Sequence, residues 1–87
     1  MSEKINIVLA DDHVLVRNGM KSMLESDPDI YVLGEASNGQ EALEAARTLQ
    51  PDILVLDIRM PVMTGLEAVG KLEHYSPGTK GVILCMH

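Results

Sequence analysis

Two short runs of apolar residues, each followed by aspartate, constrain the fold of this chain more than any other feature. Residues 7–10 read Ile-Val-Leu-Ala and stop at Asp11-Asp12, and residues 53–56 read Ile-Leu-Val-Leu and stop at Asp57. Continuously apolar runs rich in Ile, Val and Leu are typical of strands buried on both faces of a parallel sheet. Parallel strands end at one edge, where ligands bind, so two neighbouring strands would bring three carboxylates into one pocket.

Such a pocket predicts a cation site. Three carboxylates cannot all stay ionised unless a cation or protons offset their mutual repulsion. Oxygen-only ligands favour a hard ion, and Mg²⁺ is the usual one. A metal ion beside a free carboxylate is also a natural place to receive a phosphoryl group. We therefore expect a phosphoryl-transfer chemistry that depends on Mg²⁺ at this edge of the sheet.

The rest of the chain alternates between strand and helix patterns. Strands are predicted over residues 5–10, 30–36, 53–56 and 82–86, and helices over residues 12–26, 40–50 and 65–75. This alternation is the α/β signature of a parallel sheet with right-handed crossovers. The flavodoxin-like strand order 2-1-3-4-5 places the first and third strands side by side, as the acidic pocket requires. The second strand is the less uniformly apolar one, so we expect it nearer an edge.

Helix ends and helix faces give further expectations. Asp12 is a candidate N-cap of the first helix, and Asn38 is a candidate N-cap of the second. The apolar side of the first helix is predicted to hold Leu15, Met20, Met23 and Leu24.

Chain length predicts one domain over residues 1–87, incomplete at its C-terminus. A doubly wound sheet of this order needs a fifth strand and two further helices, which the sequence does not contain. The fourth strand would then be an exposed edge, and the faces of the third and fourth strands would lack their covering helices. We therefore expect the chain to form a homodimer that completes the sheet.

Composition excludes several function classes. The net charge is −6, and the seven Lys and Arg residues are scattered singly, which argues against nucleic-acid contact through this segment. Cys85 is the single cysteine, so no intrachain disulfide can form, as is usual in a reducing compartment. No signal-peptide pattern and no apolar run of membrane-spanning length is present. A cytoplasmic location is the expectation.

Residues 8–13, Val-Leu-Ala-Asp-Asp-His, and residues 56–65, Leu-Asp-Ile-Arg-Met-Pro-Val-Met-Thr-Gly, resemble the receiver domain of bacterial two-component response regulators. The similarity runs in order over the whole chain. The start Ala-Asp-Asp-His, followed by residues 15–17 and 19–20, is most similar to the NarL/FixJ-type branch. The resemblance implies a CheY-like fold, a sensor histidine kinase as partner, and control of transcription. It also implies DNA contact only through a helix-turn-helix domain beyond this chain.

The same resemblance assigns roles to individual residues. It implies that Asp57 is the phosphoacceptor, which attacks a phosphohistidine of the kinase. Asp12 would bind Mg²⁺ directly, Asp11 mainly through water, and Arg59 through its backbone carbonyl. Cys85 falls where the family has the switch Ser or Thr, and a thiol is a weaker donor than a hydroxyl. The Lys that the family carries at the end of the fifth strand is absent from the chain.

Two other functions stay open from the sequence. A degenerate receiver that only dimerises or binds partners is favoured by the Cys85 substitution and by the missing Lys. A Mg²⁺-dependent phosphohydrolase would form an aspartyl phosphate, but such enzymes resemble a D-x-D arrangement, and here Arg59 stands two residues after Asp57. For His13 we expect an exposed position in the first turn of its helix rather than a direct role.

Overall fold

The computed structural model of the protein describes residues 4–84. Strands and helices alternate along the whole of that range. In chain order the elements are β1 (Ile5–Ala10), α1 (Val14–Glu25), β2 (Ile30–Ala36), α2 (Gly39–Leu49), β3 (Ile53–Asp57), α3 (Gly65–Tyr75) and β4 (Lys80–Leu84). No helix in the described range is long and apolar enough to cross a membrane.

The four strands form one parallel sheet in the order β2-β1-β3-β4. The flavodoxin-like order predicted from the sequence is confirmed for these strands, including the edge position of β2. Ala10, the last residue of β1, lies beside Leu56 of β3 and Ala36 of β2. Because Ala10 is in register with Leu56, the next residue of each chain segment, Asp11 or Asp57, lies at the same edge of the sheet.

Helices cover the two faces of the sheet unequally. On one face, α2 and α3 bury an apolar layer, which includes Val8, Ala10, Leu54, Leu56, Ala42, Leu43, Ala68 and Leu72. On the other face, α1 covers β1 and β2, and a second apolar layer is formed by Ile7, Leu9, Met20, Val32 and Val55. Since side chains alternate along a strand, β1 and β3 contribute residues to both apolar layers. This explains why their sequences are apolar without interruption.

The start of α1 differs from the prediction. The helix begins at Val14, its N-cap is His13, and no side chain caps it. The predicted N-cap role of Asp12 is therefore wrong, because the backbone N–H of His13 donates to Asp11 Oδ1 at 2.8 Å, which bends the chain one residue further before the helix starts. The predicted cap of α2 is confirmed, since Asn38 Oδ1 accepts from the backbone N–H of Glu41 at 2.9 Å.

The predicted apolar side of α1 is only partly buried. Met20 is buried, whereas Leu15 is 87% exposed and Met23 is 66% exposed. Met23 borders an open apolar groove between α1 and the exposed face of β3 and β4. We call this the α1 groove; it is lined by Ile7, Met20, Met23, Leu24, Ile30, Ile53, Val55, Val82 and Leu84. Leu15 lies outside both apolar layers and outside the groove, so its predicted place on the apolar side of α1 is wrong.

The fourth strand begins two residues earlier than predicted, because Lys80 pairs with Ile53 at the start of β3. Met86, where the predicted strand ended, lies outside the described residues. The expectation that both faces of β3 and β4 are bare is wrong for one face, where Val69 and Leu72 of α3 pack against Gly81. The other face is the α1 groove.

Candidate metal centre

The predicted acidic pocket lies at the carboxyl edge of β1 and β3. Asp11 follows β1 directly, and Asp57 is the last residue of β3. One ligand atom each from Asp11, Asp12, His13 and Asp57 lies within 4.8 Å of the other three. These four residues are called the acidic site below. The structure thus brings together the three carboxylates that the sequence predicted, and it adds His13, for which no direct role was expected.

The acidic site has a buried floor and an open mouth. Asp11 is 1% exposed and Asp57 is 3% exposed, whereas the side chain of Asp12 is 32% exposed and that of His13 is 57% exposed. A buried carboxylate is costly unless hydrogen bonds, an opposite charge or a metal ion compensate for the lost water. Two carboxylates on the floor and a third at the mouth therefore form a pocket that attracts a cation from solvent.

Backbone amides hold both buried carboxylates in place. Asp11 Oδ1 accepts from the backbone N–H of His13 at 2.8 Å, and Asp57 Oδ1 accepts from that of Arg59 at 3.3 Å. Each contact spans two residues, so the loop that follows each strand folds back onto the carboxylate at its start. The side-chain orientation of both aspartates is consequently fixed by the chain itself.

A cation close to the acidic site is already paired elsewhere. Arg17 donates from Nη1 to the backbone carbonyl of Asp11 at 2.6 Å, and its Nε lies 3.0 Å from Glu35 Oε1. Its charge is thus held by Glu35, while its donors fix the backbone at the end of β1. In the sequence, Arg17 stands out only as part of the family resemblance, because its position one turn into α1, facing Glu35 of β2, depends on the tertiary fold.

His13 occupies the mouth of the acidic site. Its ring Nδ1 lies 3.2 Å from Asp11 Oδ1 and 2.9 Å from Asp12 Oδ1. The predicted exposure of this side chain is confirmed, but the ring is directed towards the carboxylates. The run Asp-Asp-His carried this signal, because the backbone N–H of His13 bonds the carboxylate of Asp11 two residues earlier and so turns the chain back towards the strand edge.

The loop between β3 and α3 is anchored to the site by backbone contacts. The N–H of Gly65 donates to the carbonyl of Ile58 at 3.2 Å, and that of Ile58 donates to the carbonyl of Leu84 at 3.1 Å. A Cβ atom on Gly65 would lie 2.5 Å from the backbone oxygen of Asp57. The start of α3 therefore packs directly on the backbone of Asp57, which only glycine permits.

The same loop stores conformational strain. Val62 has φ of 70° and is 82% exposed. A β-branched residue in the left-handed region is an outlier that the surrounding contacts must impose. Thr64 ends the loop with a capping box, in which its side chain and that of Glu67 bond each other's backbone N–H groups. This cap fixes where α3 begins and so confines the strained loop between two anchored ends.

Two further site residues were predicted, Arg59 and Cys85, and the structure describes only Arg59. Arg59 is exposed, and its backbone N–H contacts Asp57. That its carbonyl binds a metal ion stays a prediction. Cys85 lies outside the described residues, so its role at the switch position also stays a prediction.

The donor set fits a small, hard divalent cation. Carboxylate oxygens are the protein ligands that Mg²⁺ prefers, and the ion keeps several water molecules. An octahedral ion with ligands at about 2.1 Å spans about 4.2 Å between opposite ligands, so the 4.8 Å spread of the acidic site requires only a small contraction. The exposed mouth leaves room for the remaining waters.

Comparisons with known proteins agree with this architecture. The family model of the response regulator receiver domain matches residues 7–87. The nitrate/nitrite response regulator protein NarL of Escherichia coli K12 is 47% identical over 74 residues, which are 85% of this chain and 34% of NarL. The signal receiver domain of a response regulator described as NarL from Mycobacterium tuberculosis superimposes with a TM-score of 0.92 at 35% identity, covering 98% of this chain and 68% of that one.

An enzyme is also among the relatives. The protein-glutamate methylesterase/protein-glutamine glutaminase of Halalkalibacterium halodurans is 43% identical over 77 residues, which are 88% of this chain but only 22% of the enzyme. This chain therefore spans about a third of one curated relative and about a fifth of another. The similarity to the esterase covers a minor part of that protein.

Proposed function

This chain belongs to the response regulator receiver domain family, and we propose that it accepts a phosphoryl group on Asp57 from the phosphohistidine of a sensor kinase, with Mg²⁺ bound by Asp11, Asp12 and Asp57. The observation that carries the proposal is the position of Asp57. Its carboxylate is 3% exposed, ends a central strand, and lies within 4.8 Å of the other ligand atoms of the acidic site. A single carboxylate so placed is both a metal ligand and a nucleophile.

The residues of the chain divide the chemistry between them. The N–H of Arg59 orients the carboxylate of Asp57 through Oδ1, and the other buried carboxylate, Asp11, is oriented by the N–H of His13. In the transfer, an Asp57 oxygen forms a bond to phosphorus while the bond from phosphorus to the histidine nitrogen breaks. Bound Mg²⁺ supplies neutralising charge for the phosphoryl oxygens. The product is an acyl phosphate on the chain, so the reaction is a transfer to the protein without turnover of a substrate.

The proposal extends to the cellular role. As a single receiver domain acting in the cytoplasm, the chain would contact the kinase through the edge of the sheet around Asp57. Regulation of transcription would need a DNA-binding domain outside the 87 residues. The net charge of −6 supports this division, because a surface with this charge repels the phosphate backbone.

Phosphorylation tests the proposed acceptor directly. After incubation of the full chain with a small acyl phosphate and Mg²⁺, borohydride reduction and mass spectrometry should locate the label on Asp57 alone. Asp57→Asn should abolish the label. Asp52→Asn is the matched control, because Asp52 precedes the same strand and its Oδ2 accepts from the backbone N–H of Asn6 at the opposite edge. Label on His13 or on a different carboxylate would refute the assignment.

Metal binding tests the acidic site separately. Titration calorimetry should show weak Mg²⁺ binding that Asp57→Asn and Asp12→Ala each abolish, because each change removes an anionic oxygen ligand. Asp52→Asn should bind Mg²⁺ as the unmodified chain does. If Asp57→Asn and Asp12→Ala both bound Mg²⁺ normally, the acidic site would not be the metal centre.

We further propose that the chain forms a homodimer through β4 and the α1 groove. Within residues 4–84, β4 pairs with β3 alone, and its outer edge adjoins the groove, where Val82 is 36% exposed. A second copy that pairs along β4 would also cover the groove. One contact would then pair the backbone groups at the edge of β4 and bury the apolar side chains of the α1 groove. Sedimentation at several concentrations should show a dimer that Val82→Lys dissociates, whereas Leu15→Lys, on an exposed site outside the groove, should have no effect. A monomer at every concentration would contradict the proposal.

A further inference from the structure

His13 gives the acidic site a nitrogen donor, and we infer that its imidazole is a metal ligand that makes the site prefer a first-row transition-metal dication over Mg²⁺. The inference rests on the proposed metal-dependent function, because it concerns the ligand set of the same site. It adds a residue and a metal preference to that function. The probes are Co²⁺, which favours imidazole, and Mg²⁺, which does not.

The spacing of the donor atoms already suits a shared ion. His13 Nδ1 lies 2.9 Å from Asp12 Oδ1 and 3.2 Å from Asp11 Oδ1. Neighbouring ligands of an octahedral ion with bonds of about 2.1 Å are about 3.0 Å apart. The two distances from Nδ1 therefore match the separation of neighbouring ligands in a coordination octahedron. Asp57, the fourth member of the acidic site, approaches from the floor of the pocket.

The His13 ring lies over the acidic site through its contacts with Asp11 and Asp12, and not because it caps α1. His13 is the N-cap residue of α1, but its side chain makes no cap hydrogen bond. The backbone of His13 is fixed at both ends, because its N–H donates to Asp11 and its carbonyl accepts from the N–H of Arg17 at 2.9 Å. With the side chain 57% exposed, contact with the two carboxylates rather than packing holds the ring over the pocket.

The chemical type of the ligand atom determines which ion binds more tightly. Imidazole nitrogen is a good ligand for Co²⁺, Ni²⁺, Cu²⁺ and Zn²⁺, whereas Mg²⁺ takes oxygen ligands. Nδ1 lies at hydrogen-bond distance from Asp11 Oδ1, 3.2 Å away, and an ion between the ring and the carboxylates would replace that bond. This requires the tautomer with the ring proton on Nε2, because the lone pair of Nδ1 is then available to the ion. Three carboxylates alone can bind both Mg²⁺ and transition-metal dications. The added nitrogen of His13 therefore raises the affinity for Co²⁺ more than the affinity for Mg²⁺.

The experiment compares the two ions in the full chain and in single variants. Calorimetric titrations with Co²⁺ and with Mg²⁺ should show that His13→Ala weakens Co²⁺ binding about tenfold or more, while Mg²⁺ binding changes less than about twofold. Proton NMR of the Co²⁺ complex should show a strongly shifted, exchangeable ring N–H signal that His13→Ala removes. His74→Ala is the matched control, because His74 is exposed on α3, and it should keep both the affinity and the signal. His13→Gln should behave like His13→Ala.

The outcomes separate the inference from the function on which it rests. If Mg²⁺ binds and Asp57→Asn abolishes that binding, but His13→Ala leaves Co²⁺ binding unchanged, the inference alone is wrong. It is also wrong if His13→Ala strengthens the binding of both ions, because the ring then competes with the ion for the carboxylates. If Asp57→Asn leaves the binding of both ions unchanged, the acidic site is not the metal centre, and the proposed function and the inference fail together.

Discussion

The contact between α3 and Asp57 can be tested with two alanine substitutions in one helix. At Gly65, the first residue of α3, a Cβ atom would lie 2.5 Å from the backbone oxygen of Asp57 and 3.2 Å from its carbonyl carbon. At Gly70, in the middle of the same helix, a Cβ atom would meet nothing within 4 Å. Gly65→Ala therefore creates a steric clash with the backbone of Asp57, the proposed phosphoacceptor. Gly70→Ala is the matched control, because it creates no such clash.

The two substitutions should change the free energy of unfolding in opposite directions. Gly70→Ala should raise it by about 0.5–1 kcal/mol, because alanine has a higher helix propensity than glycine. The Gly65 contact falls about 1 Å short of a normal separation of roughly 3.5 Å, and backbone atoms cannot rotate away as a side chain can. Overpacking of this kind costs about 1–3 kcal/mol, so the two variants should differ by about 1.5–4 kcal/mol.

Urea denaturation followed by circular dichroism measures this difference, and Mg²⁺ titration measures its effect on the site. Gly65→Ala should bind Mg²⁺ more weakly, because the clash displaces the backbone that positions the Asp57 carboxylate. Gly70→Ala should bind it normally. Equal stability of the two variants, or unaltered Mg²⁺ binding in a destabilised Gly65→Ala, would show that the start of α3 does not position Asp57.

Three further changes test local features of the chain. Val62→Gly should raise the free energy of unfolding by about 1 kcal/mol, since it relieves a left-handed β-branched residue; a loss of stability in urea denaturation would contradict this. Asn38→Ala should lower the free energy of unfolding by about 1 kcal/mol through loss of the α2 N-cap, whereas Asn38→Ser should largely retain it. Hydrogen bonds from the backbone N–H and the hydroxyl of Ser37 lower the pKa of Glu41 from its ordinary value of 4.5. The stabilisation from these hydrogen bonds is present above pH 4.5 and is lost as the pH falls through the lowered pKa of Glu41. Glu41→Gln should therefore reduce the loss of folding stability on acidification. An unchanged dependence of stability on pH would contradict this.

The strands and the convergence of the acidic residues were predictable because each depends on local sequence. A strand with both faces buried must be apolar at every position, so residues 7–10 and 53–56 identified the central strands without further information. Parallel pairing then required Asp11 and Asp57 to leave the sheet at one edge. The cap of α2 was equally local, because Asn38 bonds an amide three residues away.

Features that depend on three-dimensional geometry, and not on residue type, were not predictable. Asp12 has a favourable residue type for an N-cap, but the bond from the His13 N–H to Asp11 moved the helix start past it. Met23 has the spacing of a core residue, yet its exposure depends on whether another element covers the groove beside it. The strain at Val62 has no sequence signal, because valine is a residue that ordinarily avoids the left-handed region.

The two adjacent aspartates show how chain geometry divides one chemical function between two positions. Asp11 follows β1 directly, and the chain turns between Asp11 and His13, so the two carboxylates reach the site at different depths. Asp11 consequently forms the floor of the site at 1% exposure, while the side chain of Asp12 remains 32% exposed at its mouth. The carboxylate of Asp11 accepts from the His13 amide at 2.8 Å, and that of Asp12 lies 2.9 Å from the His13 ring. A pair of aspartates in sequence thus supplies one buried and one solvent-accessible oxygen donor, and the next residue, His13, lies at the mouth beside both.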